Sequence, residues 1–132
     1  MQSDLQVHCA DGRALAATLF GDRTCDAAVV VIAGATGVRR RLYHRYAEYL
    51  ANEGFAVVTF DYRGVGGSRG GPLRADPAQL SEWGRLDLAG ILDWAHDALR
   101  PRALCVVAHS VGGQLLPLIA APERVDGVIF VA

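Results

Sequence analysis

The fold is decided by one short stretch, Ala108-His109-Ser110-Val111-Gly112-Gly113-Gln114, which carries a serine among small residues. An apolar run at residues 102–107 precedes it and is typical of a buried strand, and residues 115–121 are predicted to form a helix. The sequence therefore predicts a sharp strand-to-helix turn at Ser110. Small neighbours suit such a turn because its backbone is strained and passes close to itself. Pro117 is expected to kink the helix, since proline lacks a backbone donor.

Length and charge fit one ordinary globular domain without an anionic partner. The chain has 132 residues, of which 52% are hydrophobic and 20% are charged, and its net charge is −1. That balance gives no reason to expect binding to nucleic acid or to an anionic membrane. We interpret the basic cluster as a solvated helix edge rather than an anion site; its members are Arg39, Arg40, Arg41 and Arg45.

The cysteines indicate a reducing compartment. Cys9, Cys25 and Cys105 are odd in number and lack metal-ligand spacing. The N-terminal residues do not resemble a signal peptide, and no apolar run approaches the ~20 residues of a membrane-spanning helix. We therefore expect a cytoplasmic protein without a membrane span.

The remaining pattern alternates strands and helices. Residues 5–9 and 14–20 predict a β-hairpin, because Asp11-Gly12 between them supplies the positive φ that such a turn needs. Apolar runs at residues 28–33 and 55–60 predict strands buried on both faces. The predicted fold class is α/β: an N-terminal β-hairpin that leads into a mostly parallel sheet with helices on both faces. The other predicted elements are a helix with Leu42, Tyr46, Tyr49 and Leu50 along its apolar face that ends at Gly54, a helix at residues 80–99, and a strand at residues 127–132.

A glycine-rich loop follows the strand that ends at Phe60. Its sequence is Asp61-Tyr62-Arg63-Gly64-Val65-Gly66-Gly67-Ser68. Asp61 and Arg63 flank the strand end, where charge-assisted hydrogen bonds would fix the loop. We interpret this loop as structural: it shapes the wall beside the serine and takes no part in the chemistry.

Three motifs, in this order, resemble the N-terminal half of an α/β-hydrolase. They are the loop at residues 34–38, the glycine-rich loop at residues 61–68 and the turn at Ser110. More narrowly, the chain is similar to predicted hydrolases of the serine aminopeptidase-like and monoglyceride lipase-like branch. It departs from the family at Ala108, where glycine is usual, and at Ala33-Gly34, where His-Gly is usual. Both departures leave the backbone roles intact.

The resemblance implies hydrolysis of a small-molecule acyl substrate, an ester, thioester or amide, with Ser110 as the nucleophile. The backbone amide of Val111 would donate one hydrogen bond to the oxyanion that forms on the carbonyl oxygen. The second donor would lie in the loop after Ala33, with the amide of Ala35 as first choice and that of Thr36 as second. No cofactor and no metal are implied.

The catalytic acid and base of this fold follow the serine in chain order. We therefore interpret residues 1–132 as the N-terminal portion of a single hydrolase domain, without the lid and the C-terminal strands that carry the acid and the histidine. This chain alone is expected to have little or no activity, because an unactivated serine is a poor nucleophile at neutral pH.

We interpret the histidines and carboxylates discussed next as packed or surface residues rather than as catalytic ones. We interpret His109 as a packed, hydrogen-bonded residue, since successive side chains of a strand point to opposite faces. His44 follows the loop at residues 34–38, and we interpret it as a surface residue rather than as part of the pocket. A solvated charged face on the helix at residues 80–99 is predicted from Asp87, Asp93 and Asp97.

Two other functions remain open. A dinucleotide-binding domain has a similar order of strand, glycine loop, helix and second strand, and Asp61 would lie where the ribose binds. However, Gly34 and Gly37 do not form the glycine motif of such a domain. The other alternative is a non-catalytic, truncated half-domain. Its last strand, Val128-Ile129-Phe130-Val131, would form an exposed apolar edge that favours self-association.

Overall fold

A computed structural model describes residues 1–22 and 26–132, so Cys25 lies outside the described residues. Within them, the strands are β1 (Gln2–His8), β2 (Ala14–Phe20), β3 (Ala28–Ala33), β4 (Ala56–Phe60), β5 (Ala103–His109) and β6 (Gly127–Val131). The α-helices are α1 (His44–Asn52), α2 (Leu80–Glu82), α3 (Ala89–Leu99) and α4 (Val111–Leu115). No helix in this part of the chain is long and apolar enough to cross a membrane.

All of these strands belong to one sheet with the order β1-β2-β4-β3-β5-β6. The predicted hairpin is confirmed: β1 and β2 are antiparallel, and Gly12 in their turn has a φ of 87°. β2 is also antiparallel to β4, whereas β4, β3, β5 and β6 run parallel. The carboxyl ends of these four parallel strands therefore share one edge of the sheet.

Both faces of the central strands are covered, as the buried β-branched runs predict, whereas the edge strand β6 is exposed. Val29 and Val31 of β3 belong to a core cluster that includes residues of α3 and α4. Val30 and Ile32 belong to a second cluster that includes Ala47 of α1. Alternate residues of one strand thus pack against helices on opposite faces. The predicted α/β fold class is confirmed.

The apolar face predicted for the first helix is confirmed at Leu50, which packs against the second core cluster, and is wrong at Leu42 and Tyr49. Leu42 and Tyr49 are 67% and 60% exposed, whereas Ala47 is fully buried. Ala47 lies at the contact between α1 and the sheet, and its small side chain lets the helix approach closely. Leu42 and Tyr46 instead line an open apolar groove of about 380 Å³ beside β3 and β5. The predicted end of the helix is confirmed, since Gly54 has a φ of 99° just after it.

The long predicted helix at residues 80–99 exists, but its centre is not an α-helix. α2 is followed by a π-helical segment, Trp83–Leu88, which leads directly into α3. A Cβ atom on Gly84 would lie 2.9 Å from the carbonyl oxygen of Leu115. The segment thus approaches α4 more closely than a larger residue at this position would allow.

The helix predicted at residues 115–121 is wrong. α4 ends at Leu115, and a 3₁₀ turn, Leu116–Leu118, replaces its continuation. Pro117 explains the change because its ring would clash with the carbonyl of Gly113, and it has no N–H to donate. The strand predicted at residues 127–132 is confirmed as β6, an edge strand whose Ile129 and Phe130 are 61% and 68% exposed. Self-association through this edge stays a prediction.

The predicted solvated face of the long helix is wrong at Asp87, which is fully buried. Its carboxylate accepts hydrogen bonds from the Arg63 backbone N–H at 2.8 Å and from Arg63 Nε at 2.7 Å. Arg63, only 4% exposed, also donates to Asp11 in the hairpin turn. Burial raises the pKa of the Asp87 carboxyl, and the hydrogen bonds from Arg63 oppose that shift. One buried ion pair therefore joins the hairpin, the glycine-rich loop and the long helix.

Replacing Asp87 with alanine removes the buried carboxylate that binds Arg63 Nε and the Arg63 backbone N–H, and leaves Asp11 as the hydrogen-bonded carboxylate of the guanidinium. We expect Asp87→Ala to lower the free energy of unfolding by about 3–5 kcal/mol, measured by urea denaturation. Asp93→Ala is the matched control, because Asp93 is 53% exposed and pairs with Arg124 at the surface, and it should change the value by about 0–1 kcal/mol. Equal losses in the two variants would contradict this account.

Candidate active site

Ser110 lies in the predicted turn at the carboxyl edge of the sheet, between the end of β5 and the start of α4. Its backbone has a φ of 55° and a ψ of −116°, a conformation that glycine dominates. Among the described non-glycine residues, Arg100 alone shares a positive φ. The Ser110 N–H donates to the carbonyl of Val131 at 2.9 Å, which ties the turn to β6. The residue itself is exposed.

The small residues around Ser110 allow β3 and α4 to meet. A Cβ atom on Gly112 would lie 2.3 Å from the carbonyl oxygen of Ala33, closer than any real contact allows. Ala108 is buried and pairs with Ala33 across the parallel strands. The prediction that the backbone passes close to another chain segment here is confirmed at Gly112.

One of the two predicted oxyanion donors in the loop after β3 already makes a hydrogen bond within the protein. The Ala35 N–H donates to the Tyr43 hydroxyl at 2.9 Å, and Ala35 is half-buried. Thr36 is exposed, and within residues 1–22 and 26–132 no acceptor is bonded to its amide. Val111 is the first residue of α4, so its amide has no acceptor within that helix.

His109 is packed and hydrogen-bonded, as the sequence predicts. Its Nδ1 lies 2.9 Å from the Tyr43 hydroxyl, and the two rings meet edge to face at 5.8 Å. Burial raises the pKa of Tyr43, so its hydroxyl stays protonated at neutral pH. The position of Tyr43 leaves no signal in the sequence, because nothing in the helical pattern distinguishes it from the neighbouring exposed tyrosines.

The interpretation of His44 as a surface residue is wrong, and its described contacts do not include Ser110. It is half-buried, and its ring packs edge to face on Phe20 at 4.9 Å. This desolvation lowers the pKa of His44, and the nearby Arg40 charge acts in the same direction. His44 therefore contributes to the packing of α1 on β2.

The glycine-rich loop is held by Asp61, as predicted. The buried Asp61 carboxylate accepts hydrogen bonds from the Arg40 N–H at 2.7 Å, from the Arg40 guanidinium and from the Gly67 N–H at 3.0 Å. A Cβ atom on Gly66 would lie 2.7 Å from the same carboxylate. The solvated-edge interpretation is therefore wrong for Arg40, which joins the segment after the β3 loop to the glycine-rich loop.

Comparison with known proteins identifies the family. A sequence profile of the alpha/beta hydrolase fold matches residues 27–132, so the chain belongs to the α/β-hydrolase fold family. The Asp61 carboxylate, the ribose-binding candidate of the dinucleotide alternative, is already occupied by Arg40 and Gly67. The narrower serine aminopeptidase-like or monoglyceride lipase-like branch stays a prediction.

Three similar proteins are an uncharacterized protein, a thioesterase and an alpha/beta hydrolase of known structure. The chain is 36% identical over 104 residues to an uncharacterized 31.7 kDa protein of Escherichia coli, encoded in the traX-finO intergenic region; the match covers 76% of this chain and 35% of that protein. It is 38% identical over 87 residues to the human mitochondrial palmitoyl-protein thioesterase ABHD10, covering 64% of this chain and 26% of that protein. The crystal structure of the alpha/beta hydrolase GrgF from Penicillium sp. sh18 has a TM-score of 0.77 at 24% identity, covering 100% of this chain and 46% of that one. The chain thus spans less than half the length of each.

The close contact at Gly112 yields a stability prediction. We expect Gly112→Ala to lower the free energy of unfolding in urea by about 1–3 kcal/mol or more, because its Cβ would meet the backbone of Ala33. Gly113→Ala is the control: its Cβ would lie 2.9 Å from the ring of Phe130, an exposed side chain that can move away. A larger loss at Gly113 than at Gly112 would contradict this account of the turn.

Proposed function

We propose that this chain supplies the nucleophile and the oxyanion hole for hydrolysis of a small-molecule acyl substrate, an ester, thioester or amide. The observation that carries the proposal is the backbone of Ser110, a non-glycine residue with a φ of 55° at an exposed turn. Such conformations cost energy, persist only where the surroundings enforce them, and cluster at active sites. The human relative is named as a thioesterase, which supports including thioesters.

In the proposed reaction, the Ser110 Oγ attacks the substrate carbonyl carbon and gives its proton to a base. The carbonyl oxygen becomes negatively charged, and the Val111 amide and an amide of the loop after β3, Ala35 or Thr36, stabilise that charge. Collapse of the tetrahedral intermediate breaks the bond to the leaving group, which takes up the proton and leaves the acyl group on Ser110. Water then hydrolyses the acyl-enzyme by the reverse sequence of proton transfers.

The base is proposed to lie outside residues 1–132, together with the carboxylate that orients it. His109 is bonded to Tyr43, and His96 is bonded to Asp97 on α3. In the described part of the chain, no hydrogen bond joins a histidine to the Ser110 hydroxyl. Removing the base from such a triad costs several orders of magnitude in rate.

A fluorophosphonate probe tests the nucleophile without needing the natural substrate. We expect the 132-residue chain to be modified slowly at Ser110, as shown by intact mass and peptide mapping, because the oxyanion donors stabilise the attack even without the base. Ser110→Ala should abolish the modification, and Ser3→Ala, which removes an exposed serine of β1, should leave it unchanged.

Beyond one slow acylation of Ser110, the same preparation should turn over p-nitrophenyl acetate no faster than Ser110→Ala does, because deacylation also needs the base. Ester hydrolysis at ordinary esterase rates that depends on Ser110 would show that a base lies within this chain. Modification that persists in Ser110→Ala, or a folded chain that is not modified at all, would overturn the proposal. A folded chain that is not modified would favour a non-catalytic half-domain.

A further inference from the structure

One tyrosine side chain ties the turn at Ser110 to the segment before α1. Tyr43 ends the 3₁₀ turn Arg40–Tyr43, which leads directly into α1. Its hydroxyl lies 2.9 Å from Nδ1 of His109, which is the last residue of β5 and precedes Ser110. In the described part of the chain, no other side chain is hydrogen-bonded to residues 108–113. Tyr43 is therefore the side chain through which α1 can act on the turn.

The direction of this hydrogen bond follows from the other partner of the hydroxyl. The Ala35 N–H lies 2.9 Å from the Tyr43 hydroxyl oxygen, and a backbone N–H can only donate. Burial raises the pKa of Tyr43, so the hydroxyl keeps its single proton, which is left for His109. If His109 donated instead, the phenolic proton would have no partner among the described residues. Nδ1 is therefore the acceptor, and neutral His109 carries its proton on Nε2.

Tyr43 is held in this position from several sides. A Cβ atom on Gly34 would lie 2.8 Å from the Tyr43 ring, so the lack of a side chain there lets the ring approach the end of β3. The ring also meets the imidazole of His109 edge to face, at a centroid distance of 5.8 Å, and packs against the second core cluster. Arg40, at the start of the same 3₁₀ turn, is bound by the buried Asp61 carboxylate. A fixed framework thus presents the hydroxyl to His109.

The turn at Ser110 needs such support because its backbone is strained. A non-glycine residue keeps a φ of 55° only where several contacts enforce it. At Ser110 itself, the N–H donates to the carbonyl of Val131. After it, Gly112 packs tightly on the end of β3. Before it, Tyr43 holds His109, so the chain is fixed on both sides of the serine.

We propose that Tyr43 is a positioning residue for the nucleophile: its hydroxyl donates to His109 Nδ1 and thereby holds the strained backbone of Ser110. This inference rests on the proposed function of Ser110. Tyr43 acts only through His109 and takes no part in the chemistry. The imidazole of His109 is in turn the acceptor that joins the start of α1 to the end of β5.

The protonation of the His109 ring tests the direction of the hydrogen bond, because ¹⁵N resonances distinguish protonated from unprotonated ring nitrogens. In the neutral form of His109, Nδ1 should be unprotonated and Nε2 protonated. Tyr43→Phe should shift the Nδ1 resonance, since the nitrogen loses its donor. Tyr49→Phe, which removes a hydroxyl from a 60% exposed tyrosine of α1, should not shift it. A proton on Nδ1 in the wild-type chain, or an Nδ1 resonance unchanged in Tyr43→Phe, would overturn the proposal.

Urea denaturation tests whether Tyr43 maintains the strain, and it needs no activity. Ser110→Gly relieves strain that Ser110→Ala keeps, so the unfolding equilibrium constant of the glycine variant should be about fivefold the smaller. In a Tyr43→Phe background the turn can relax, and the difference should fall to about twofold. In a Tyr49→Phe background the fivefold difference should remain. A difference that is the same in the Tyr43→Phe and Tyr49→Phe backgrounds would show that Tyr43 does not hold the turn.

Fluorophosphonate modification connects the contact to the proposed reaction. At saturating probe, Tyr43→Phe should modify Ser110 about tenfold more slowly than wild type, because the serine is misplaced. The half-saturating probe concentration should stay the same, and Tyr49→Phe should react at the wild-type rate. Equal maximal rates in wild type and Tyr43→Phe would overturn the positioning role. A folded wild-type chain that is never modified would instead overturn the proposed function, and the His109 resonances and the urea comparison would still decide whether Tyr43 holds the turn.

Discussion

The architecture of the site depends on the close approach of α4 to the end of β3. The Gly112 Cα lies so near the Ala33 carbonyl that any side chain would collide with it. This contact holds the start of α4 against the end of β3, and the turn that connects β5 to α4 has a φ of 55° at Ser110. Without the contact at Gly112, α4 could move away from the sheet and Ser110 could relax to an ordinary conformation.

The loops beside the turn are held by buried charged side chains as well as by apolar packing. Asp61 binds Arg40 and so joins the segment after the β3 loop to the glycine-rich loop. Arg63 binds Asp87 and joins the same loop to the long helix. Breaking such buried pairs costs far more than the pairs contribute relative to apolar residues, which makes their geometry hard to change once formed. These two pairs thus fix the glycine-rich loop against the segment after the β3 loop and against the long helix.

Much of the fold follows from sequence, because strands buried on both faces and turn glycines leave strong local patterns. The run at Val29–Ile32 predicts β3, and the small residues around Ser110 predict the turn at the carboxyl edge. Long-range contacts leave no such pattern. Asp87 resembles the exposed Asp93 in sequence but is buried against Arg63, which lies in a loop 24 residues away. Tyr43 likewise acquires its role only when β3 and β5 bring Ala35 and His109 together.

The most direct test of the central claim, that the Ser110 backbone is strained, compares glycine with alanine at that position. Both substitutions remove the hydroxyl, but only glycine adopts a φ of 55° without strain. The free energy of unfolding in urea should therefore be about 1 kcal/mol higher for Ser110→Gly than for Ser110→Ala. At Ser81, in α2, the order should reverse, with glycine less stable than alanine by about 0.5–1 kcal/mol. If Ser110→Gly is the less stable variant, as at Ser81, the turn holds no strain and the account of the site is wrong.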